Sequence, residues 1–462
     1  MNILGKLPNS LVEALSCSES YLVGGGVRDS LLGKDVSDFD FVVFDVENLA
    51  NLSRSIADRL SCSFVELDDQ HQIYRIVGKK WQADLSAPRG QTLELDLAAR
   101  DFTINSIAFD IRSNDLVDPY DGVTALKSKT IRALAKKNLE EDPLRALRAF
   151  RFMAQIKDFE IEKRTIDWIK EMQSQIKLVS SERVSFELWT LLTQEKSYPA
   201  LWEMLKSGLV ESIMPEMIAL RKVPSNDFHH LPLLEHTFEL IRQYEDIVLY
   251  KIPDLHQGLV DERLGQVSLV AVLKMACLLH DIAKPQTWVI KDGRHTFYGH
   301  DQEGAKITHH IGIRLRWSKQ VIQLVSDLVR LHLRPFCIAP SNGEPTEKAQ
   351  SRLFRKMGSH FPLLIALAWA DTLSTKGPAI SDELVLQNEN RLQKLLTQFY
   401  LFQHQEKSNP PLLQGDLLVK AIQTANLPPT AEIKQRLAEL RELQLCGKIK
   451  STEEAYDWFV QK

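Results

Sequence analysis

The apolar positions of the first 134 residues come in short runs, and the spacing within each run predicts its element. Tyr21-Leu22-Val23 is an apolar run ended by Gly24-Gly25-Gly26, and Phe41-Val42-Val43-Phe44 is a second, entered through Asp38-Phe39-Asp40. This reads as strand, glycine turn, short helix, second strand. Asn51–Leu60 carries helical spacing, and Ser63–Leu67, Tyr74–Val77 and Trp81–Leu85 alternate as short strands. LVDPYDG (Leu116–Gly122) is a strand running into a Pro/Gly turn, and it closes the sheet unit near Leu134. From Ile156 to about Met217 the spacing is helical throughout. Helices are predicted over Glu160–Gln175 and Ser181–Leu192, the second capped by Ser180 or Ser181. After the break at Asn409-Pro410-Pro411, LLQGDLLVKAI and AEIKQRLAELRELQLCGKI alternate helix and turn. The pattern predicts an α+β chain, a mixed sheet followed by helical domains.

Chemistry gathers at the edges of these elements. Side chains two apart on a strand share a face, so Asp38 and Asp40 can reach one cation while Phe39 turns into the core. Hard carboxylate oxygens suit Mg²⁺. The Cβ-free turn lets main-chain N–H groups approach an anion closely. Arg28, expected on that turn, offers a charged fork suited to phosphate. Asp84 is either a third carboxylate or an ordinary strand residue. Asp142 reads as a helix N-cap with Pro143 at the first helical position. Behind it Arg145, Arg148 and Arg151 step by three, a basic stripe that repels itself unless something anionic lies over it.

A second centre lies downstream. LLEHTFELI supplies His236, MACLLHDIAKP supplies His280 and Asp281, FYGHDQEGAKI His300, VRLHLRP His332, and LAWADTLSTKG Asp371. A single such histidine is ordinarily a core residue. Six imidazoles and carboxylates in apolar helical stretches are costly to bury unpaired, and a metal would satisfy them jointly. The donor set suits Mn, Fe, Ni, Co or Mg. His309 and His310 are alternatives to one of the six.

Composition narrows the class. A chain of 462 residues with 44% hydrophobic and 26% charged content is a soluble globular protein of several domains. Five cysteines without a CxxC pair exclude a zinc ribbon and a disulfide framework, and fit the reducing cytoplasm. MNILGKLPNS lacks the apolar core of a signal peptide, and no apolar run approaches a membrane span. A formal net charge of −4 excludes a globally basic nucleic-acid binder and leaves room for a local patch.

Gly24–Asp40, GGGVRDSLLGKDVSDFD, resembles the first motif of the class II tRNA nucleotidyltransferases (CCA-adding enzymes) and bacterial poly(A) polymerases. RDFTIN (Arg100–Asn105) and EDPLR (Glu141–Arg145) resemble two further motifs of that family. The resemblance implies a polymerase-β-like nucleotidyltransferase head over residues 1–134 and a helical neck and body over 135–225. It also implies an HD metal domain over 226–380, from the order H…HD…H…H…D, and a helical tail over 381–462. It implies transfer of CMP from CTP, and of AMP from ATP where full CCA is made, to the 3′ end of tRNA. Mg²⁺ would sit on Asp38 and Asp40, the triphosphate on Gly25 and Arg28, and the sugar or phosphate against Arg100, with Asn105 in support. Asp142 and Arg145 would read the base with Arg148 and Arg151 as supports, since a carboxylate accepts from cytosine N4 or adenine N6 while a guanidinium donates. The second divalent metal would sit on His236, His280, Asp281 and Asp371, with His300 and His332 serving a further ion. Ala99 stands where many relatives have a first arginine. Only Ala87–Thr92 stands where CCA-adding members carry a long loop, which resembles the subgroup adding the two cytidines alone; loss of the loop with full activity is the other reading. The rivals are a poly(A) polymerase and an HD phosphohydrolase with an inactive head.

Overall fold

The computed structural model describes residues 7–44, 47–68, 70–248, 259, 262–337, 346–425, 431–445 and 448–462. Cys446 lies outside them. Two compact units are formed, one of residues 1–333 and 366–385, the other of 334–365 and 386–462. Among the described residues no helix is long and apolar enough to cross a membrane.

The first unit begins with α1 (Asn9–Ser16) and a seven-stranded sheet of β1 (Glu19–Val23), β2 (Asp38–Phe44), β3 (Ser63–Asp68), β4 (Ile73–Val77), β5 (Gln82–Ser86), β6 (Ala108–Asp110) and β7 (Leu116–Val117). The spatial order is β3-β4-β5-β2-β1-β6-β7. The β2–β5 pair is parallel and the others antiparallel, giving the mixed sheet expected. β2 buries Phe39 and Phe41 while Asp38 and Asp40 stay open, the two-residue alternation that a half-buried strand dictates. Val23, Val42, Phe44 and Ala108 from the sheet pack with Leu93 and Leu97. The last two belong to α4 (Leu93–Ala98), which follows α2 (Gly25–Leu31) and α3 (Leu49–Leu60).

Then come α5 (Gly122–Lys127), α6 (Lys136–Glu141), α7 (Leu144–Gln155), α8 (Lys163–Met172), α9 (Ser181–Thr193), α10 (Tyr198–Lys206), α11 (Leu209–Ile213) and α12 (Leu233–Gln243). The stretch after Ile156 is not helical throughout. Glu160-Ile161 pairs in parallel with Thr130-Ile131, so the helix expected from Glu160 starts at Lys163 and passes into a tighter turn over Gln173–Leu178. Asp142 does not cap α7. Its backbone is extended, ending α6, and its carboxylate turns away to Arg183. Ser180 precedes α9 without a side-chain capping bond. The helices Leu269–Leu279, His300–Arg314 and Lys319–Leu331 complete the unit together with residues 366–374.

One buried ion pair crosses this helical region. Lys274 Nζ lies 2.6 Å from Glu245 Oε1 and donates to the Gln194 carbonyl and to Ser197 Oγ, while the Glu245 carboxylate accepts from Ser197 and Tyr198. Both charges are fully buried, so the hydrogen bonds, and not the Coulomb attraction alone, make the burial tolerable. In the second unit the helices Gly415–Thr424, Ala431–Leu445 and Thr452–Gln461 close over Leu413, Ala421, Leu440, Ala455 and Phe459.

Candidate active site and metal centre

β1 and β2 pair with Val23 opposite Asp40, so the glycine turn leaves the sheet directly beside the Asp40 carboxylate. Gly24 has φ +70°, and a Cβ there would stand 2.9 Å from Arg100 Nη1. A side chain there is strained by the positive-φ backbone and would displace the Arg100 guanidinium. The helix begins at Gly25 itself. Arg28 accordingly lies inside α2 and not on the turn, and it is nearly fully buried. Its guanidinium forks onto Asp29 at 2.9 and 2.7 Å and donates to Asn105 Oδ1 at 2.7 Å.

A cavity of about 410 Å³ opens over this turn. Its lining holds Gly24, Gly25, Asp40, Asp101, Asn105, Asp142 and Phe152, with the arginines 28, 89, 100, 145, 148, 151 and 183. Seven guanidiniums face three carboxylates, so a chain of net charge −4 concentrates positive charge here. Every nucleotide-binding residue expected from the sequence reaches this cavity. Asp38 stands outside the lining, its Oδ1 accepting from Gln82 at 3.0 Å.

Asp40 opens onto the cavity yet is ringed by protein. Its carboxyl is pushed up to about 6, first by burial and then by the neighbouring Asp38 and Asp84. Asp84 is not free to act as a third carboxylate. It lies opposite Arg75 on the neighbouring strand and is held by that guanidinium at 2.7 Å through both oxygens.

The arginine stripe of α7 finds its anions within the protein. Arg148 pairs with Asp101 at 2.8 Å and Arg151 with Glu187 at 2.5 Å. Arg145 donates to the carbonyls of Ala99, Arg100 and Asn138 at 2.9 to 3.3 Å. Three of its five N–H groups are thus engaged and two remain. Asp101 is buried, but Arg148 and the amides of Asn105 and Phe102 more than offset that and hold its carboxyl below the ordinary range. Phe152 carries the guanidiniums of Arg151, Arg28 and Arg148 at 4.1, 4.9 and 5.6 Å from its ring centre. Arg183, Arg89 and Phe152 were not singled out by motif. Arg183 leads α9 and reaches Asp142 at 2.9 Å across 41 residues of chain, which no local spacing signals.

The second centre is also assembled. His236 lies on α12, His280 and Asp281 follow the Leu269–Leu279 helix, His300 opens the next helix, and His332 ends the one after. All are buried. Asp281 Oδ2 lies 3.0 Å from His280 Nε2 and 3.9 Å from His236 Nε2, and Oδ1 lies 3.2 Å from His300 Nε2 and 3.8 Å from His332 Nε2. Asp371 sits 3.4 Å from His236. Burial keeps His236 below its ordinary value and takes His332 down to about 4, leaving neutral imidazoles able to ligate. His280 is pushed down by burial but lifted above its ordinary value by Asp281. His309 and His310 are exposed and stand apart from the cluster. Two neighbours were not expected: Lys284, 2.5 Å from Asp281 Oδ2, and His229, its ring 4.5 Å from that of His236.

Residues 20–132 match the family described as Poly A polymerase head domain, 158–220 that described as probable RNA and SrmB-binding site of polymerase A, and 260–376 the HD domain. The A-adding tRNA nucleotidyltransferase of Deinococcus radiodurans is 30% identical over 449 residues, covering 96% of this chain and 94% of that protein. The chain belongs to the tRNA nucleotidyltransferases. The CC-adding member from Thermus thermophilus is 28% identical over 446 residues, 95% of this chain and 92% of the relative. That from Synechocystis is 38% identical over 199 residues, 43% of this chain and 47% of the relative. A CCA-adding enzyme in apo form shares the fold at a TM-score of 0.64 and 19% identity, over all of this chain and 96% of that one. A Thermotoga maritima CCA-adding enzyme complexed with tRNA shares it at 0.60 and 19%, over 99% and 97%. The expected reading as a nucleotidyltransferase with a fused HD domain therefore stands, against the poly(A) polymerase and relic-head rivals.

Proposed function

We propose that this nucleotidyltransferase adds CMP from CTP to the 3′ end of tRNA, building the two cytidines. The observation that carries the nucleotidyl-transfer site is the cavity uniting the glycine turn, Asp40 and Asp142 among seven guanidiniums. Asp38 and Asp40 would hold Mg²⁺. The fit rests on Asp40, whose carboxyl is raised first by burial and then by two neighbouring acids, a cost that a cation relieves. An ion held by these carboxylates would supply Lewis acidity toward the attacking 3′-oxygen and the leaving pyrophosphate. Gly24 and Gly25 leave room for phosphate to approach the main chain, Arg28 is fixed behind them by Asp29 and Asn105, and Arg100 is fixed by Asp96. Asp142 accepts from cytosine N4, and the two uncommitted N–H groups of Arg145 donate beside it.

The restriction to cytidines rests on the connection between β5 and α4, only Ala87–Thr92. A second reading, AMP addition, is favoured by the Deinococcus A-adding relative, which matches almost the whole chain. The test offers tRNA ending at the discriminator base, and tRNA already carrying CC, with CTP alone, ATP alone and both, and sequences the 3′ ends. Two cytidines and no adenosine support the first reading. Adenosine added only to the CC-ended tRNA supports the second, and full CCA or homopolymer tails refute both.

In the HD domain, His236, His280, Asp281 and Asp371 would hold one divalent ion, and Asp281, His300 and His332 a second, from Mn, Fe, Ni, Co or Mg. His236 Nδ1 is buried without a hydrogen bond, and His236, His280 and Asp281, like Asp281, His300 and His332, each bring ligand atoms within 4.8 Å of one another, a crowding of donors that a metal would satisfy.

A further inference from the structure

Six of the seven cavity guanidiniums are already engaged: Arg28 by Asp29 and Asn105, Arg100 by Asp96, Arg145 by three carbonyls, Arg148 by Asp101, Arg151 by Glu187 and Arg183 by Asp142. Among the described residues Arg89 alone in that lining has no side-chain partner, and its charge repels that of Arg145. We propose that Arg89 is a phosphate-binding residue, through which the short connection between β5 and α4 grips a phosphate of the RNA primer or of the nucleotide. The inference rests on the reading of this cavity as the nucleotidyl-transfer site.

The loop is built to present that side chain. The Arg89 amide donates to Asp96 Oδ1 at 3.0 Å, and the other oxygen of the same carboxylate holds Arg100. Asp96 is 1% exposed, so one buried acid fixes the main chain of the first arginine and the guanidinium of the second. Gly90 packs so closely on α4 that a Cβ would meet Leu95 Cβ at 2.7 Å, and Thr92 caps that helix. With its backbone held at both ends and its head open to the cavity, Arg89 has lost much of the loop entropy that binding would otherwise cost. An uncompensated guanidinium beside a second cationic side chain, at the mouth of a site that handles phosphates, is matched by an anion presenting paired oxygens.

The test compares full-length wild type with Arg89→Ala and Arg89→Lys in steady-state CMP transfer, varying tRNA and CTP separately. The alanine variant should raise one KM about tenfold, the size of one lost charge-assisted contact, with kcat changed less than about twofold. Lysine should recover part of the loss, keeping the charge without the fork. If the phosphate belongs to RNA, the tRNA KM moves and its log–log salt slope falls by about one. If it belongs to the nucleotide, the CTP KM moves instead. Both KM values within twofold of wild type, with an unchanged salt slope, overturn the assignment. Wild type that transfers no nucleotide to tRNA would instead overturn the underlying reading of the cavity. Because the side chain contacts no partner, the variants should melt with the wild type, and melts verify this.

Discussion

Replacing Asp40 by asparagine should make the metal-free protein more stable at neutral pH while removing its activity. The carboxyl is pushed up to about 6 from an ordinary 3.8, by burial and by the repulsion of Asp38 and Asp84. The folded state thus holds the proton more tightly than the unfolded chain does. Stability is therefore full below the unfolded value, is lost as pH rises from about 4 to about 6, and stays reduced above that. A shift of about two units at ~1.4 kcal/mol each corresponds to ~3 kcal/mol. Asp40 opens on the cavity, and solvent screening lowers this to about 1 kcal/mol. Asparagine keeps the shape and abolishes the charge, so it removes that penalty.

The assay is a pair of denaturation series in EDTA, wild type and Asp40→Asn, at pH 7.5 and at pH 4. The variant should be the more stable at pH 7.5 by about 1 kcal/mol, and the difference should shrink to a small fraction of that at pH 4, where the folded Asp40 carboxyl is protonated. The difference between the two proteins therefore reads Asp40 together with its coupling to Asp38 and Asp84. Millimolar Mg²⁺ should then raise the wild-type melting temperature and leave the variant's unchanged, because a ligand stabilises only the state that binds it. CMP transfer should fall by at least ~10²–10³-fold in the variant. A variant less stable than wild type at pH 7.5, or a gap that persists undiminished at pH 4, would refute the crowding argument. Transfer within tenfold of wild type would refute the catalytic one.

Three further outcomes are expected. Asp142→Ala should reduce the preference for CTP over UTP by about tenfold, the value of one base-edge contact, in a competition assay read at the tRNA 3′ end, with binding of the triphosphate less affected. Lys274→Met should lower stability by about 3 kcal/mol by leaving Glu245 charged and buried; Lys274→Met with Glu245→Gln should cost less than the two single changes together, as measured by denaturant melts. Asp281→Ala should remove both HD ions and His332→Ala only one, because the two Asp281 oxygens face different histidine sets; metal analysis of the purified chains reads the count, and equal losses would refute the shared-carboxylate arrangement.

The sequence exposes what repeats with a period and hides what pairs across distance. Asp38 and Asp40 share a face because β2 alternates, and Phe39 is buried for the same reason. Strand and helix spacing carried the sheet and most helices. The partners of the charged residues were not legible, because they lie 36 to 47 residues away and reach their mates only through the fold: Arg151 with Glu187, Asp142 with Arg183, Arg148 with Asp101. Local rules also competed and lost. Asp142-Pro143 has the composition of a cap, but a carboxylate within reach of Arg183 gains more from that guanidinium than from one amide. Glu160-Ile161 has helical neighbours, yet its main chain is claimed by the edge at Thr130-Ile131. Most of the HD residues were legible as a set because His280, Asp281 and Asp371 sit in or just after strongly apolar helices, where an unpaired polar group demands a reason; His300 opens a largely polar helix and was carried by the order of the set.

The pairing of the cavity arginines also sorts the acids that hold them. Asp96, Asp101 and Glu187 are all at most 6% exposed, and each is locked to a guanidinium. None of the three can be approached by a nucleotide base without first being unpacked. They act as fixed counter-charges that let arginines crowd one cavity without mutual repulsion dispersing them. Asp142 differs: its side chain is 27% exposed, its partner Arg183 is 54% exposed, and only one of its oxygens is engaged at hydrogen-bond distance. Of the two lining acids that hold an arginine, Asp101 and Asp142, it is the more exposed. That exposure supports the base-reading role proposed for Asp142 from its motif.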